Sequence, residues 1–171
     1  MQRLDNLYSI VAMTEKTRAI GRKNDMLYHL PEDLNYFKET TLNHTIVMGY
    51  NTYMSFPKRP LPNRKNIVLT RYDRVLEGAE ILHGIEEALD YARKHRNEKI
   101  FVVGGDTVYR QFMPYVSKLY ITILREDSAV EAEAFFPEID EDVWVQVSEE
   151  AGRQVPENAP PYTFTVWELK K

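Results

Sequence analysis

KIFVVGGDTVY, residues Lys99 to Tyr109, is the stretch on which the fold turns. Lys99 to Val103 reads as a buried strand, a short apolar run of the kind a parallel sheet covers on both faces. It runs directly into Gly104 and Gly105. Thr107 to Met113 then has a helical pattern that Pro114 stops. Strand, glycine turn and helix in immediate succession belong to an α/β sheet if the pattern recurs along the chain.

It recurs on both sides. Upstream, Leu7 to Met13, Thr45 to Gly49 (TIVMG) and Asn66 to Thr70 (NIVLT) read as strands, with a short one at Ala79 to Leu82. Helical patterns lie between them: Pro31 to Leu42, a start at Asn51 to Ser55, and Ile85 to His95, where Ile85, Ala88, Leu89 and Ala92 keep helical spacing. Thr14 to Tyr28 reads as a long polar loop holding Gly21, Asn24 and Asp25. Phe56 to Lys65 carries three prolines and is not regular structure. Downstream, Lys118 to Leu124, Val143 to Ser148 and Tyr162 to Leu169 are strands, with Glu150 to Pro161 a loop between the last two. Alternation followed by terminal strands predicts a mostly parallel sheet, helices on both faces, and antiparallel strands at one edge.

The 171 residues suit one domain with a real core. Hydrophobic residues are 43% and charged residues 28%, the balance of a soluble globular protein. The net charge of −4 comes from interspersed signs, which argues against a nucleic-acid tail or a membrane-surface helix. The apolar run in MQRLDNLYSIVAM is too short for a signal or membrane segment, and cysteine is absent. A cytoplasmic location is expected. His29, His44, His83 and His95 are scattered without ligand spacing, so no metal site is expected. No stripe demands oligomerisation, which leaves a monomer as the expectation.

In open α/β sheets, ligands bind beyond the carboxyl ends of the strands, and the candidates lie there. Gly104 and Gly105 allow a ligand close to the backbone, and the helix start beyond them offers N–H groups to a phosphate or pyrophosphate. The pair is not the GxGxxG fingerprint and also fits a tight turn that needs glycine for geometry alone. MGYNT, Met48 to Thr52, repeats the logic, with Asn51 and Thr52 as phosphate donors or as simple caps. LTR, Leu69 to Arg71, sets a hydroxyl beside an Arg at a third strand end. Together the three suggest an extended nucleotide across the sheet edge. In KRPLPNRK, Lys58 to Lys65, a stiffened loop can present Arg64 to a carboxylate, or can be a solvated basic loop.

HLPEDLNYFK, His29 to Lys38, holds a further candidate. Pro31 suits a first helical position, and Glu32 and Asp33 suit the first turn. Leu30, Leu34 and Phe37 form one stripe, with Asp33 at its edge. Asp33 either serves the helix dipole in solvent, or is a partly buried carboxylate that holds a cationic or amidine-like group or shuttles a proton.

Taken together, IGRKNDM (Ile20 to Met26), LPEDLNYFK (Leu30 to Lys38), TIVMGYNTY (Thr45 to Tyr53), RPLPNRKNIVLTR (Arg59 to Arg71), VVGGDTVYRQF (Val103 to Phe112), KLYIT (Lys118 to Thr122) and FFP (Phe135 to Pro137) resemble the bacterial dihydrofolate reductase family, in its order and near its spacing. The resemblance implies an α/β fold with a central eight-stranded, mostly parallel sheet, an antiparallel C-terminal edge and four flanking helices. It implies reduction of dihydrofolate by NADPH, and binding of antifolate-type small molecules. Asp33 matches the family's active-site acid, which orients the pterin and helps protonate N5. Thr122 matches the Thr bonded to that acid. Leu34, Phe37, Phe56 and Leu61 would pack on the substrate, with Arg59 nearby and Arg64 clamping its glutamate carboxylate. Ile10, Val103 and Tyr109 match the pterin–nicotinamide contact, and Ala12, Ile20 and Gly21 nicotinamide neighbours. Gly104 and Gly105 match a pair joined by a cis peptide. Asp106, Thr107 and Val108 would continue around the pyrophosphate, with Gly49, Asn51 and Thr52 opposite. Leu69, Thr70 and Arg71 would hold the adenosine end, Arg71 against the 2′-phosphate.

The chain departs from the family pattern in four places. Pro-Trp reads Leu27-Tyr28, so Tyr28 takes the aromatic place near the catalytic water. MGR reads MGY, so Tyr50 removes a cation near the 2′-phosphate and preference for NADPH rests more on Arg71. A residue is inserted at Pro57-Lys58, and VEGDT reads VEAEA, Val130 to Ala134, which alters the brace of the mobile loop. Two competing readings remain: a related-fold reductase of another pterin or a ribityl-pyrimidine, and a non-catalytic nucleotide-binding module indifferent to Asp33.

Overall fold

The structure, a computed structural model, describes residues 3–22, 25–125 and 131–171. Asn24 and Val130, both singled out in the sequence, lie outside the described residues.

The strands and helices follow the sequence pattern closely. β1 (Leu7–Thr14), β2 (Ala19–Arg22) and β3 (Asp25–Met26) precede α1 (Pro31–Thr41). β4 (Thr45–Gly49), α2 (Tyr50–Ser55), β5 (Lys65–Leu69), β6 (Ala79–Leu82), α3 (Ile85–Lys94), β7 (Ile100–Val102) and α4 (Asp106–Phe112) continue the alternation. β8 (Lys118–Leu124), β9 (Ala134–Phe135), β10 (Trp144–Ala151) and β11 (Tyr162–Leu169) complete it. Eight strands form one sheet in the order β10-β11-β8-β1-β7-β4-β5-β6. Neighbours from β8 to β6 pair in parallel, and both pairings of β11 are antiparallel.

The period of two divides each central strand between two cores. Leu7, Val11, Met13, Val47, Ile67, Ile100, Val102, Leu119 and Ile121 face one side, where α3 lays Ala88, Leu89 and Ala92 and α4 lays Tyr109 and Phe112. Ile10, Ile46, Met48, Val68 and Phe101 face the other, with Tyr53 of α2 and the rings of Tyr36 and Phe37 from α1. Each fully buried Ile, Val or Phe is worth about 1.5–3 kcal/mol, which is why an apolar residue at nearly every position keeps a strand in the middle of the sheet.

One expectation is corrected. Thr14 to Tyr28 is not an unbroken loop, because β2 and β3 lie within it and pair with β9 as a second sheet of order β3-β2-β9. These strands, two to four residues long, are too short to show a period. Distant backbone partners make them strands, among them the Glu133 N–H donating to the Gly21 carbonyl at 2.9 Å. In the same way β10 runs to Ala151, into the expected loop, because every residue from Ser148 on pairs with β11.

Candidate active site

β1, β4, β5 and β7 are parallel, so their carboxyl ends share one edge of the sheet. A cavity of about 1350 Å³ opens along that edge. α1 lines it with Asp33, Leu34 and Phe37, β1 with Ile10 and Ala12, β2 with Ile20 and Gly21, and β8 with Thr122.

The cavity explains the carboxylate on the apolar stripe. Among the residues of α1 only Thr41 is buried, and Leu34 is 42% exposed. The stripe therefore divides. Phe37 packs on the core below α2, while Asp33 and Leu34 form the wall of an open cleft. Asp33 Oδ1 accepts a 2.6 Å hydrogen bond from Thr122 Oγ1. Thr122 is itself buried, on the face of β8 that looks toward α1 rather than toward α3 and α4. Burial pushes the Asp33 carboxyl above the usual carboxylate range, the Thr122 bond pulls against it, and the nearby Glu32 charge adds to the rise.

Two strand ends meet at the centre of the cavity. The Gly49 N–H donates to the Gly104 carbonyl at 2.9 Å. The peptide joining Gly104 and Gly105 is cis, and Gly104 sits at φ +119°, a conformation that side chains rarely adopt. A Cβ on Gly49 would come within 3.3 Å of Val108 Cγ2, and one on Gly105 within 3.4 Å of Thr52 Oγ1. The glycines thus let the turns after β4 and β7 close on each other and leave bare backbone facing the cleft. Behind them, the buried Tyr109 Oη donates to the Ile10 carbonyl at 2.7 Å. β7 pairs with β1 only as far as Ser9, so this hydroxyl meets a carbonyl just beyond the ladder.

At the outer end, the loop after α2 is built around Asn66. Its buried side chain accepts from the Leu61 N–H and donates to the Leu61 and Arg64 carbonyls, each at 3.0 Å. Arg64 bonds Thr41 Oγ1 at 3.2 Å and the Pro62 carbonyl at 3.0 Å, and burial lowers its pKa without threatening its charge.

Every residue singled out for the site from the sequence lines this cavity except Arg59. Tyr28, Phe56, Leu61, Arg64, Leu69, Thr70, Arg71, Val103 and Asp106 to Tyr109 all do so. Arg59 is instead spent on α2, where it donates to the Met54 and Phe56 carbonyls at 2.9 and 3.2 Å. Such carbonyls have no partner within a helix end, and a nearby guanidinium satisfies them. Sequence reasoning missed Tyr36, Tyr72, Arg74 and His83, which also line the cavity, and Asn66, which shapes its rim. A buried Asn at a strand start is a signal that can be sought, whereas a loop Arg carries none.

The comparisons with known proteins agree with this geometry. A family model described as dihydrofolate reductase matches residues 6–169. A dihydrofolate reductase of Bacillus subtilis (strain 168) is 38% identical over 165 residues, covering 96% of this chain and 95% of that protein. Dihydrofolate reductase HdrB of Haloferax volcanii is 41% identical over 172 residues, covering 96% and 84%. Among solved structures, dihydrofolate reductase from Enterococcus faecalis complexed with NADP(H) and RAB-propyl superposes with a TM-score of 0.85 at 36% identity, over 96% of each chain. Matches of this extent, in sequence and in fold together, place the chain in the dihydrofolate reductase family.

Proposed function

We infer that the cleft reduces 7,8-dihydrofolate to 5,6,7,8-tetrahydrofolate with NADPH, and that the chain works as a single monomeric domain in the cytoplasm. The observation that carries this reading is Asp33, a carboxylate held by Thr122 at the wall of an otherwise largely apolar cleft.

The residues present fit the cofactor. Gly49, Gly104 and Gly105 line the cleft; a Cβ on Gly49 would press on Val108, and Gly104 sits at a positive φ that side chains rarely adopt. NADPH, when bound, supplies the hydride that reaches pterin C6. The Gly104 to Val108 turn, with Gly49, Asn51 and Thr52 opposite, would hold its pyrophosphate by backbone and hydroxyl donors. Leu69, Thr70 and Arg71 would hold its adenosine end. Ala12, Ile20 and Gly21 would border the nicotinamide.

Asp33 would accept hydrogen bonds from the pterin 2-amino group and N3, which fixes the ring and excludes its inverted pose. Thr122 keeps the carboxyl in one orientation. An acid whose pKa is raised by burial also holds a proton to higher pH than a free carboxylate, which favours protonation of N5 through water. Ile10, Leu34, Phe37, Phe56, Leu61, Val103 and Tyr109 would enclose the ring system and its benzoyl group. Arg64 would pair with the glutamate α-carboxylate at the rim. Tyr28 packs against the cluster of Leu30, Leu124, Tyr162 and Phe164 and lines the cavity, and would border the water near N5.

The test is loss of reduced-nicotinamide absorbance with dihydrofolate, for wild type and Asp33→Asn side by side. Wild type is expected to turn over, and Asp33→Asn to lose on the order of 10²-fold in kcat/KM. A wild type that binds NADPH and leaves dihydrofolate untouched would transfer the reading to a related reductase acting on another pterin or a ribityl-pyrimidine.

A further inference from the structure

We propose that Arg74, held in place by the ring of Tyr50, is a second cation that recognises the 2′-phosphate of NADPH and sets the preference of this enzyme for NADPH over NADH. The proposal rests on the cofactor reading above.

Loss of a cation at Tyr50 would leave Arg71 to make that distinction alone. The structure places another guanidinium over the substituted ring. Arg74 Cζ lies 3.8 Å from the Tyr50 ring centroid and 5.2 Å from that of Tyr72. Arg71 Cζ lies 5.9 Å from Tyr72 on the same patch. Tyr50, Thr70, Arg71, Tyr72 and Arg74 all line one end of the cavity, where β5 delivers the strand end expected to hold the adenosine. Arg74 thus arrives from the loop after β5 to a place at the start of α2, and the aromatic face holds its planar head there.

The two guanidiniums are available to an anion. Among the described residues neither is ion-paired with a carboxylate, and their ring contacts leave N–H donors unused. The one acid between them in sequence, Asp73, is turned to His83, with Oδ1 and Nε2 3.1 Å apart. Thr70 Oγ1 accepts from the Tyr72 N–H at 3.3 Å, so its own proton remains free to donate. Two forked cations and a hydroxyl converging on one end of a cleft match a phosphate monoester, which takes bidentate guanidinium bonds. NADPH carries such a group at its adenosine end and NADH does not, so the pair would discriminate between otherwise identical ligands.

The experiment measures the dissociation constants of NADPH and NADH by quenching of protein fluorescence, using the full chain and the variants Arg74→Gln, Tyr50→Leu, Tyr50→Phe and Arg71→Gln. Arg74→Gln is expected to lower the NADPH-to-NADH affinity ratio about tenfold, the effect of one charge-assisted phosphate contact, and the loss should shrink as salt rises. Tyr50→Leu should lower the ratio too, and Tyr50→Phe, which keeps the ring, should not. Titration with 2′,5′-ADP and 5′-AMP repeats the comparison without the nicotinamide. A ratio unchanged in Arg74→Gln but lowered in Arg71→Gln would overturn the proposal, leaving Arg71 as sole reader. Equal losses for both dinucleotides would overturn it as well, since Arg74 would then support structure rather than the phosphate. Loss in Arg74→Gln with none in Tyr50→Leu would overturn the role given to Tyr50. A wild type that binds neither dinucleotide would instead remove the cofactor reading itself.

Discussion

Asp33 works against the stability of the fold that positions it. Burial raises its pKa, so the folded chain holds this proton more tightly than the unfolded chain does. Stability therefore declines as pH rises from the unfolded carboxylate range, about 3.9, through the raised folded value, and the deficit persists at pH 7. Asp33→Asn is expected to melt at higher temperature than wild type at pH 7 while losing activity, with the gap closing as pH approaches 4. Thermal melts followed by circular dichroism at the two pH values check this, and a gap that widens in acid would contradict it. Thr122 acts in the opposite sense, because its hydrogen bond stabilises the carboxylate. Thr122→Val should shift the apparent pKa of hydride transfer upward, seen in single-turnover rates against pH, and an unshifted profile would separate Thr122 from the acid. At this scale Asp33 was visible in the sequence because it broke a helical stripe. Arg74 was not, since nothing local distinguishes it from a solvated loop residue.

At the scale of elements, the first turn of α1 is clamped from a distant hairpin. Glu32 Oε1 accepts from the Arg153 N–H at 2.8 Å, the Gln154 N–H at 2.9 Å and Tyr162 Oη at 2.6 Å. The Tyr162 bond, with those from the backbone, holds the Glu32 carboxyl below its ordinary range against a smaller opposing effect of desolvation. A depressed folded pKa means that this contribution is present above the unfolded pKa and is lost as pH falls through the folded one. Glu32→Ala should lower stability at pH 7 by about 1 kcal/mol, since the Arg153 and Gln154 N–H groups it releases lie near solvent and the Tyr162 hydroxyl keeps its 3.2 Å bond to the Gln154 carbonyl. Urea unfolding at pH 7 and pH 3 is the measurement. Equal destabilisation at both values would show that the clamp does not depend on the carboxylate. The loop between β10 and β11 looked featureless in EEAGRQVPENAP, and its attachment to α1 is a tertiary event. β2, β3 and β9 were likewise illegible, because strands of two to four residues are defined by their partners.

Across the whole molecule, the cleft opens where two parts of the fold adjoin. The main sheet supplies its floor through β1, β4, β5, β8 and the turn after β7, and β2 and β9 of the small sheet supply Ile20, Gly21 and Ala134 at its border. A ligand that spans both should stabilise the molecule as a unit. NADPH at 100 times its dissociation constant is expected to add about 2.7 kcal/mol, several degrees in melting temperature. Asp33→Asn should keep that shift, and Arg74→Gln should show a smaller one at the same NADPH concentration. Scanning calorimetry with and without NADPH makes the comparison, and a wild type whose melting is indifferent to NADPH would contradict the cofactor assignment.

The sequence by itself determined the α/β class, the place of nearly every major strand and helix, the glycine ends of two strands, and a carboxylate at odds with its helix. These are written in adjacent residues, because strand and helix periods, turn glycines and caps act over a few positions. The order of the strands was settled elsewhere. β7 inserts between β1 and β4, which brings Gly104 against Gly49 and Tyr109 under Ile10. Thr122 meets Asp33 across 89 positions of chain, a bond that the family resemblance implied and no local pattern did, and Arg74 comes to rest on Tyr50. Only the tertiary structure decided these contacts, since they come from packing two faces of one sheet, and no local pattern records which distant side chain will share a buried space.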